Sequence, residues 1–336
     1  MLAFEPTRKI FISRALRLLF FTSLALALNF FLSLAIPVWM LALGPLVFGA
    51  THLFSSLRFV PKAISDDQSK QSLASRLMIV FVLAAGGIRF LQTHFSATTL
   101  FGLNDGWEMV ALFASFVCLS VIFGLRKKLL FFSTIQFALI AVCSWYFPLV
   151  TAAVLMIGHN FVPFFYWMKM SKSTSERNVA IFSLFIFSLI HLLILSGWTD
   201  GFAHRWSVAD PHFGPLLDPF MIAKQVFPTS SDFLLLGRAL SVFAFGQAVH
   251  YFLWIKVIPE ESLRQEVPQT FTQLKKTLVQ DLGLSLSIMA SVLAIGFIGA
   301  MFFMQVGLLR ELYITGVAAH GYAELAGLPF LFMRRS

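Results

Sequence analysis

Residues 316–336 read GVAAHGYAELAGLPFLFMRRS. The run is apolar over the length that a bilayer-crossing helix needs, and it stops at Arg334 and Arg335, as a span does at its cytoplasmic edge. It nevertheless carries His320 and Glu324, one helical turn apart on one face. Ionisable side chains in hydrocarbon are costly unless they face a protein interior or a polar cavity. The stretch therefore predicts a membrane helix and a buried site together.

The same apolar character recurs along the whole chain. Of 336 residues, 58% are hydrophobic and 12% charged, 40 are phenylalanine, and the mean hydropathy is +0.82, far from the composition of ordinary water-soluble domains. About ten spans are expected, near 15–36, 38–58, 77–95, 107–125, 129–147, 148–169, 179–197, 232–256, 281–305 and 310–333, by the length and apolarity of the runs. Long uniform runs do not match the alternating segments of about ten residues that build outer-membrane barrels. The expected fold is an all-α polytopic bundle, a single transmembrane domain over 1–336 with an outer loop at 198–231 and an inner amphipathic loop at 258–280.

Charge sets the orientation. With the N-terminus inside, Arg58, Lys62, Lys70 and Arg76, then Arg126 to Lys128, then Lys169, Lys172 and Arg177, then Lys256, Arg264, Lys275 and Lys276 fall on the cytoplasmic side. Outer loops keep Arg205, Lys224 and Arg310. This satisfies the positive-inside rule with both termini cytoplasmic, in a bacterial inner membrane. The net charge of +9 lies in short clusters between apolar runs, so it reads as topology and not as a nucleic-acid surface. Cys118 and Cys143 sit inside apolar runs and offer neither a disulfide framework nor a CxxC site. Nucleotide-binding glycine loops, GxSxG, HExxH and CxxCH are absent, which leaves nucleotide-driven chemistry and c-type haem unsupported.

Five histidines lie inside expected spans: His52, His159, His191, His250 and His320. Counted from the cytoplasmic ends at about 1.5 Å per residue, His52 and His250 stand ~9 Å deep, Glu324 ~14 Å, His159 ~15 Å, His191 ~18 Å and His320 ~20 Å. Four helices thus bring His52, His159, His250, His320 and Glu324 to one slab, with His191 at its inner edge as a further ligand or support. Neutral imidazole is a common metal ligand, and a shared cation relieves the burial of several such groups at once. Several imidazoles with one carboxylate suit iron, with zinc, copper or manganese as alternatives. Asn160 beside His159 and Gln247 three residues before His250 are candidates to orient the imidazoles around a bound cofactor, and Thr51 does the same for His52. Glu324 is either a carboxylate ligand or the catalytic base. Each histidine alone is better explained as a hydrogen-bonding residue between helices, and it is the set with a glutamate in register that favours a metal.

Elsewhere, Arg89 and Glu108 are placed to pair toward the outer side, and Asp200, His204, Asp210, His212 and Asp218 in the outer loop offer an external metal site or a solvated surface. In the inner loop Phe271, Leu274 and Leu278 have the spacing of an interfacial helix or a plain connector.

With its scattered single histidines in apolar spans, including GHNF at 158–161 and AHGYAE at 319–324, the chain resembles the bacterial Brp/Blh-type carotenoid dioxygenases. That resemblance implies a non-haem iron held by histidines inside a membrane bundle, and cleavage of β-carotene to retinal. The expectation is a membrane-embedded iron oxidoreductase acting on a carotenoid, fatty acyl or quinone-like lipophile. A b-type haem electron carrier using two of the histidines, and a proton- or ion-coupled transporter using the histidines and Glu324 as a relay, remain open beside it, as does a purely structural role.

Overall fold

A computed structural model describes residues 13–95, 107–123, 127–147, 157–202, 233–263, 284–300, 320–321 and 323–331, and positions 154, 276 and 279. Its regular elements are all helical: α1 (Arg14–Ala35), α2 (Pro37–Ile64), α3 (Gln68–Phe95), α4 (Trp107–Phe123), α5 (Lys127–Tyr146), α6 (Val162–Met170), α7 (Thr174–Leu195) and α8 (Phe233–Phe252). A π-helical turn, Leu253–Val257, joins α8 to α9 (Ile258–Leu263), and α10 (Leu284–Ala300) follows. A last helix, α11, is helical at 320–321 and 323–331.

Local chemistry explains where the helices begin. Ser13 accepts from the Leu16 N–H at the start of α1. At α7 a capping box closes both ways, Glu176 N–H to Ser173 Oγ at 3.1 Å and Ser173 N–H to the Glu176 carboxylate at 3.3 Å, which satisfies two donors that the first turn leaves free. Proline opens both α2 and α6, where its missing N–H costs nothing. Gly197, at φ 82°, ends α7 in the left-handed region that favours glycine. The guanidinium of Arg238 lies over it and grips Asp200, with Nη2 to Oδ2 at 2.6 Å.

The expectation of about ten spans is overturned. Among the described residues three helices are long and apolar enough to cross a membrane, Arg14–Ala35, Thr174–Leu195 and Leu234–Ser262, or four if α2, bent by 59° between Gly49 and Thr51, counts as one span. Two physical causes separate the readings. Hydropathy counts apolar residues without asking whether one helix carries them: the segment 148–169 holds a turn at 160–161 and then the nine-residue α6, while α4 and α10 have 17 residues each. It also does not separate lipid-facing from core residues. In the nine-residue α6, Val162, Phe164, Tyr166, Trp167 and Met170 are buried inside the protein. The apolar, membrane-length helices are consistent with partial membrane association.

Helix α2 is the centre of the fold, packed against α3, α8 and α10, while α1 lies on α7 and α8. The core between them is aromatic: Tyr166, Trp167, Phe187, Phe245, Trp254 and Phe330 are all fully buried. Below it, Arg14 and Arg17 of α1 meet Glu261 and Glu260 of α9 at 2.7 and 2.6 Å, and Trp167 Nε1 donates to Glu261 at 3.1 Å. The start of the inner loop is thus a half-buried helix clamped to α1 and α6. Phe271, Leu274 and Leu278 lie outside the described residues, as do His204, Asp210, His212 and Asp218 and the side chains of Arg89 and Glu108.

Candidate metal centre

Four separate elements deliver the histidines. His52 stands on α2 just past its bend. There Thr51 Oγ1 donates to the Phe48 carbonyl at 2.8 Å and His52 Nδ1 lies 3.2 Å from the Gly49 carbonyl, so side chains serve carbonyls where the helical ladder is disturbed. A carbonyl can only accept. His52 Nδ1 therefore carries the proton, and the Nε2 lone pair points away from its own helix.

His250 sits at the end of α8, three residues before the π-helical turn. Such turns widen a helix by one residue and re-aim its side chains, and they occur often at functional positions. This one turns Trp254 inward, and Ser55 of α2 donates to the Trp254 carbonyl. His159 precedes the turn at Asn160 and Phe161 that separates it from α6. His320 and Glu324 come from α11, one turn apart.

These five converge. One donor atom from each of His52, His159, His250, His320 and Glu324 can be chosen so that all lie within 4.8 Å of one another. His52 Nε2 is 3.1 Å from His250 Nε2 and 3.0 Å from His320 Nε2. Glu324 stands 3.6 Å from His159 Nδ1, 3.8 Å from His250 Nε2 and 3.9 Å from His52 Nε2. Donors sharing one ion at ~2.1 Å are about 3.0 Å apart at a right angle and about 3.4 Å apart at the tetrahedral angle. The cluster has that scale and can coordinate a metal.

Burial sharpens this. Glu324 is 0% and His52 1% exposed, and only His159 keeps partial access, at 17% of its side chain. Trp254 Nε1 donates to Glu324 Oε2 at 3.1 Å, and the Tyr166 hydroxyl donates to the Glu324 carbonyl at 2.9 Å. Among the described residues Glu324 Oε1 and His159 Nδ1 are buried without a well-formed hydrogen bond, the Ser56 side chain being a further polar neighbour of the Glu324 carboxylate. Burying a carboxylate oxygen unpaired is expensive, and a cation held in common with the imidazoles compensates for it.

Not every expected residue joins. His191 turns aside: its Nδ1 donates to the Phe187 carbonyl at 2.9 Å, and its ring lies against Phe161, Phe187 and Phe245. Gln247 donates through Nε2 to the Tyr251 hydroxyl at 2.7 Å rather than to an imidazole of the cluster. Asn160 is buried beside Gly246 and close to His191. Asp200, expected in an external site, is taken by Arg238. Trp254 and Tyr166 were not singled out from sequence. Trp254 follows His250 by four residues, the helical spacing that shares a face, and that was the available signal.

No family model, curated protein or solved structure matches this chain.

Proposed function

We propose that this chain is a membrane-associated metal-dependent oxidoreductase that holds a transition metal, iron in preference to zinc, copper or manganese, on His52, His159, His250, His320 and Glu324. The observation that carries the reading is the convergence of five buried nitrogen and oxygen donors from four elements on one point. The donor set contains no thiolate, and imidazole with carboxylate suits iron among the redox metals. Bound there, iron supplies one-electron and dioxygen chemistry. The scattered single histidines, which resemble the histidine usage of Brp/Blh-type dioxygenases without a continuous motif, favour the same choice.

The chain's own residues have distinct tasks in this reading. Gly49 holds His52 in the tautomer that frees Nε2. Trp254 holds Glu324 Oε2, the oxygen nearest His159 and His250, while Oε1 lies toward His52, so either oxygen is placed to serve as the ligand. Five such donors would hold the ion and leave room in its coordination shell for an external molecule. The partly accessible His159 marks the side from which it arrives. A lipophilic substrate, carotenoid, fatty acyl or quinone-like, is supported by the apolar surroundings and the membrane-length helices around the cluster.

The scale of the cluster opposes haem on these histidines. Axial ligands stand on opposite faces of a macrocycle, about 4 Å apart with the ring between them, whereas His52 Nε2 lies 3.0 to 3.1 Å from two others. The deciding experiment is elemental analysis and a visible spectrum of protein purified without chelators, wild type beside His320→Ala. Near-stoichiometric iron that falls at least tenfold in the variant is expected. A Soret band would replace the assignment with haem, and absence of metal from both proteins would transfer it to a proton or ion relay.

A further inference from the structure

A groove of about 410 Å³ runs between α1, α2 and α8, the helices of membrane length, counting bent α2 as one span, nearest the centre. Its walls are Leu32, Trp39, Leu43, Val47 and Phe48 on one side and Ala248, Tyr251 and Phe252 on the other. The groove reaches the centre through a single ring. Tyr251 lines it, and the same ring lies 4.6 Å from the His52 ring, centroid to centroid.

The polar side chains of the lining have their donors engaged. Asn29 Nδ2 donates to the Ala25 carbonyl at 2.8 Å, Gln247 Nε2 to the Tyr251 hydroxyl at 2.7 Å, and Lys256 Nζ pairs with Glu260 at 3.1 Å. The remaining lining is aliphatic, aromatic or methionine. Apart from Gln247 Oε1, which is buried without a partner among the described residues, and the partly exposed Lys256 ammonium, such a surface offers a polar group little to bind, and it stabilises an apolar chain at roughly 25 cal/mol per Å² buried. Val47 and Phe48 are half exposed at its mouth, so the opening itself is apolar.

We propose that this groove binds an unbranched or isoprenoid hydrocarbon chain and lays one segment of it against Tyr251, the wall shared with His52. The proposal rests on the metal reading above and names where its substrate is held. Gly44 lies on the floor, where an added Cβ would make ordinary contact with Tyr251 at 3.6 Å. A leucine there fills the groove while leaving the five donor residues untouched.

The test uses full-length protein in lipid nanodiscs with a photoactivatable diazirine derivative of hexadecanol, mapped by peptide mass spectrometry, with metal content measured on the same samples. Wild type is expected to label at 43–48 and 247–252 at least fivefold above the exposed face of α7, at Phe185, Leu189 and Leu192. Gly44→Leu should reduce groove labelling at least fivefold with α7 labelling and metal content unchanged. Ala248→Leu, on the opposite wall, should do the same and guards against a folding defect in one variant. Labelling of the groove no stronger than that of α7, or equal in both variants and wild type, overturns the proposal, because the groove then meets only surrounding lipid. Metal without selective groove labelling overturns the groove alone, and selective labelling in a metal-free protein overturns the metal reading alone.

Discussion

Trp254 and Glu324, from the π-helical turn and from α11, are joined by one buried bond of 3.1 Å from indole Nε1 to Oε2. The indole stands in the widened turn, one residue from its start, and the bond holds Oε2, the carboxylate oxygen nearest His159 and His250. Trp254→Phe keeps most of the packing volume and removes the donor. Groups that orient metal ligands typically change affinity 10–100-fold. A metal titration of apoprotein should show that loss for Trp254→Phe, and wild-type affinity in the variant would mean that Glu324 needs no such orientation.

Metal should also be felt as stability. A ligand held only by the folded state, at 100 times its dissociation constant, adds about 2.7 kcal/mol. Stripping wild type with a chelator is expected to lower its unfolding midpoint by several degrees, and re-addition of metal should restore it. His320→Ala and Glu324→Gln should show a much smaller response to either treatment. Equal midpoints for stripped and loaded wild type would remove the metal from the folding balance.

The site was more legible in the sequence than the number of spans. Histidines are conspicuous in apolar runs, and counting residues inward from basic clusters gives a depth, so His52, His159, His250, His320 and Glu324 could be assigned to one layer. Depth carries no lateral information, however. His191 has nearly the depth of His320 but stands on a face of α7 that meets Phe187 and Phe245, and sequence cannot supply that rotation. The span count failed at segments such as 148–169, where a turn at 160–161 precedes the nine-residue α6, and where Phe164 and Trp167 are as apolar as any lipid-facing residue yet lie in the protein core. Burial around a polar centre and burial in a bilayer leave the same mark on hydropathy.

Outside the membrane-length helices, Asp67 opens α3. The Ser69 hydroxyl, 2.7 Å from Oδ1, together with the N–H groups of Lys70 and Ser69, holds its carboxyl below the ordinary range. A depressed folded-state pKa contributes stability that is present above the unfolded value of about 3.9 and is lost as pH falls through the folded value. Asp67→Asn keeps the capping oxygen and removes the titration. The stability difference between wild type and Asp67→Asn should be constant near neutrality and shrink with acidification below about pH 4. A difference that stays flat across that range would show that the charge is not coupled to folding.

The clamp between α1 and α9 makes a different demand. Arg17 is 4% exposed at the side chain and pairs with Glu260 at 2.6 Å, and breaking a buried pair by removing one partner costs on the order of 3–5 kcal/mol. Glu260→Gln should therefore be strongly destabilised in a thermal or denaturant titration. Adding Arg17→Met should recover a large part of the loss, because the buried charge that Glu260 balanced is gone. Failure of the second substitution to recover stability would assign the cost to Lys256, which also reaches Glu260 at 3.1 Å.

Gly246 and Gly237 lie on the same helix and should respond to alanine with opposite sign. A Cβ at Gly237 would meet nothing within 4 Å, whereas one at Gly246 would lie 2.7 Å from Asn160 Nδ2 and 3.3 Å from His191 Nε2. In a helix with free space alanine gains roughly 0.5–1 kcal/mol over glycine. At Gly246 the gain is opposed by overpacking of about 1–3 kcal/mol, and the side chain pushed aside belongs to the neighbour of His159. Gly237→Ala is expected to raise the unfolding midpoint with metal affinity unchanged. Gly246→Ala is expected to lower the midpoint and weaken metal binding, with the altered ligand field visible in the electronic spectrum of the cobalt-substituted protein. If Gly246→Ala lost stability but kept that spectrum, Asn160 would be a packing residue with no hold on His159. A changed spectrum would make the turn at Asn160 part of what keeps the fourth imidazole in place.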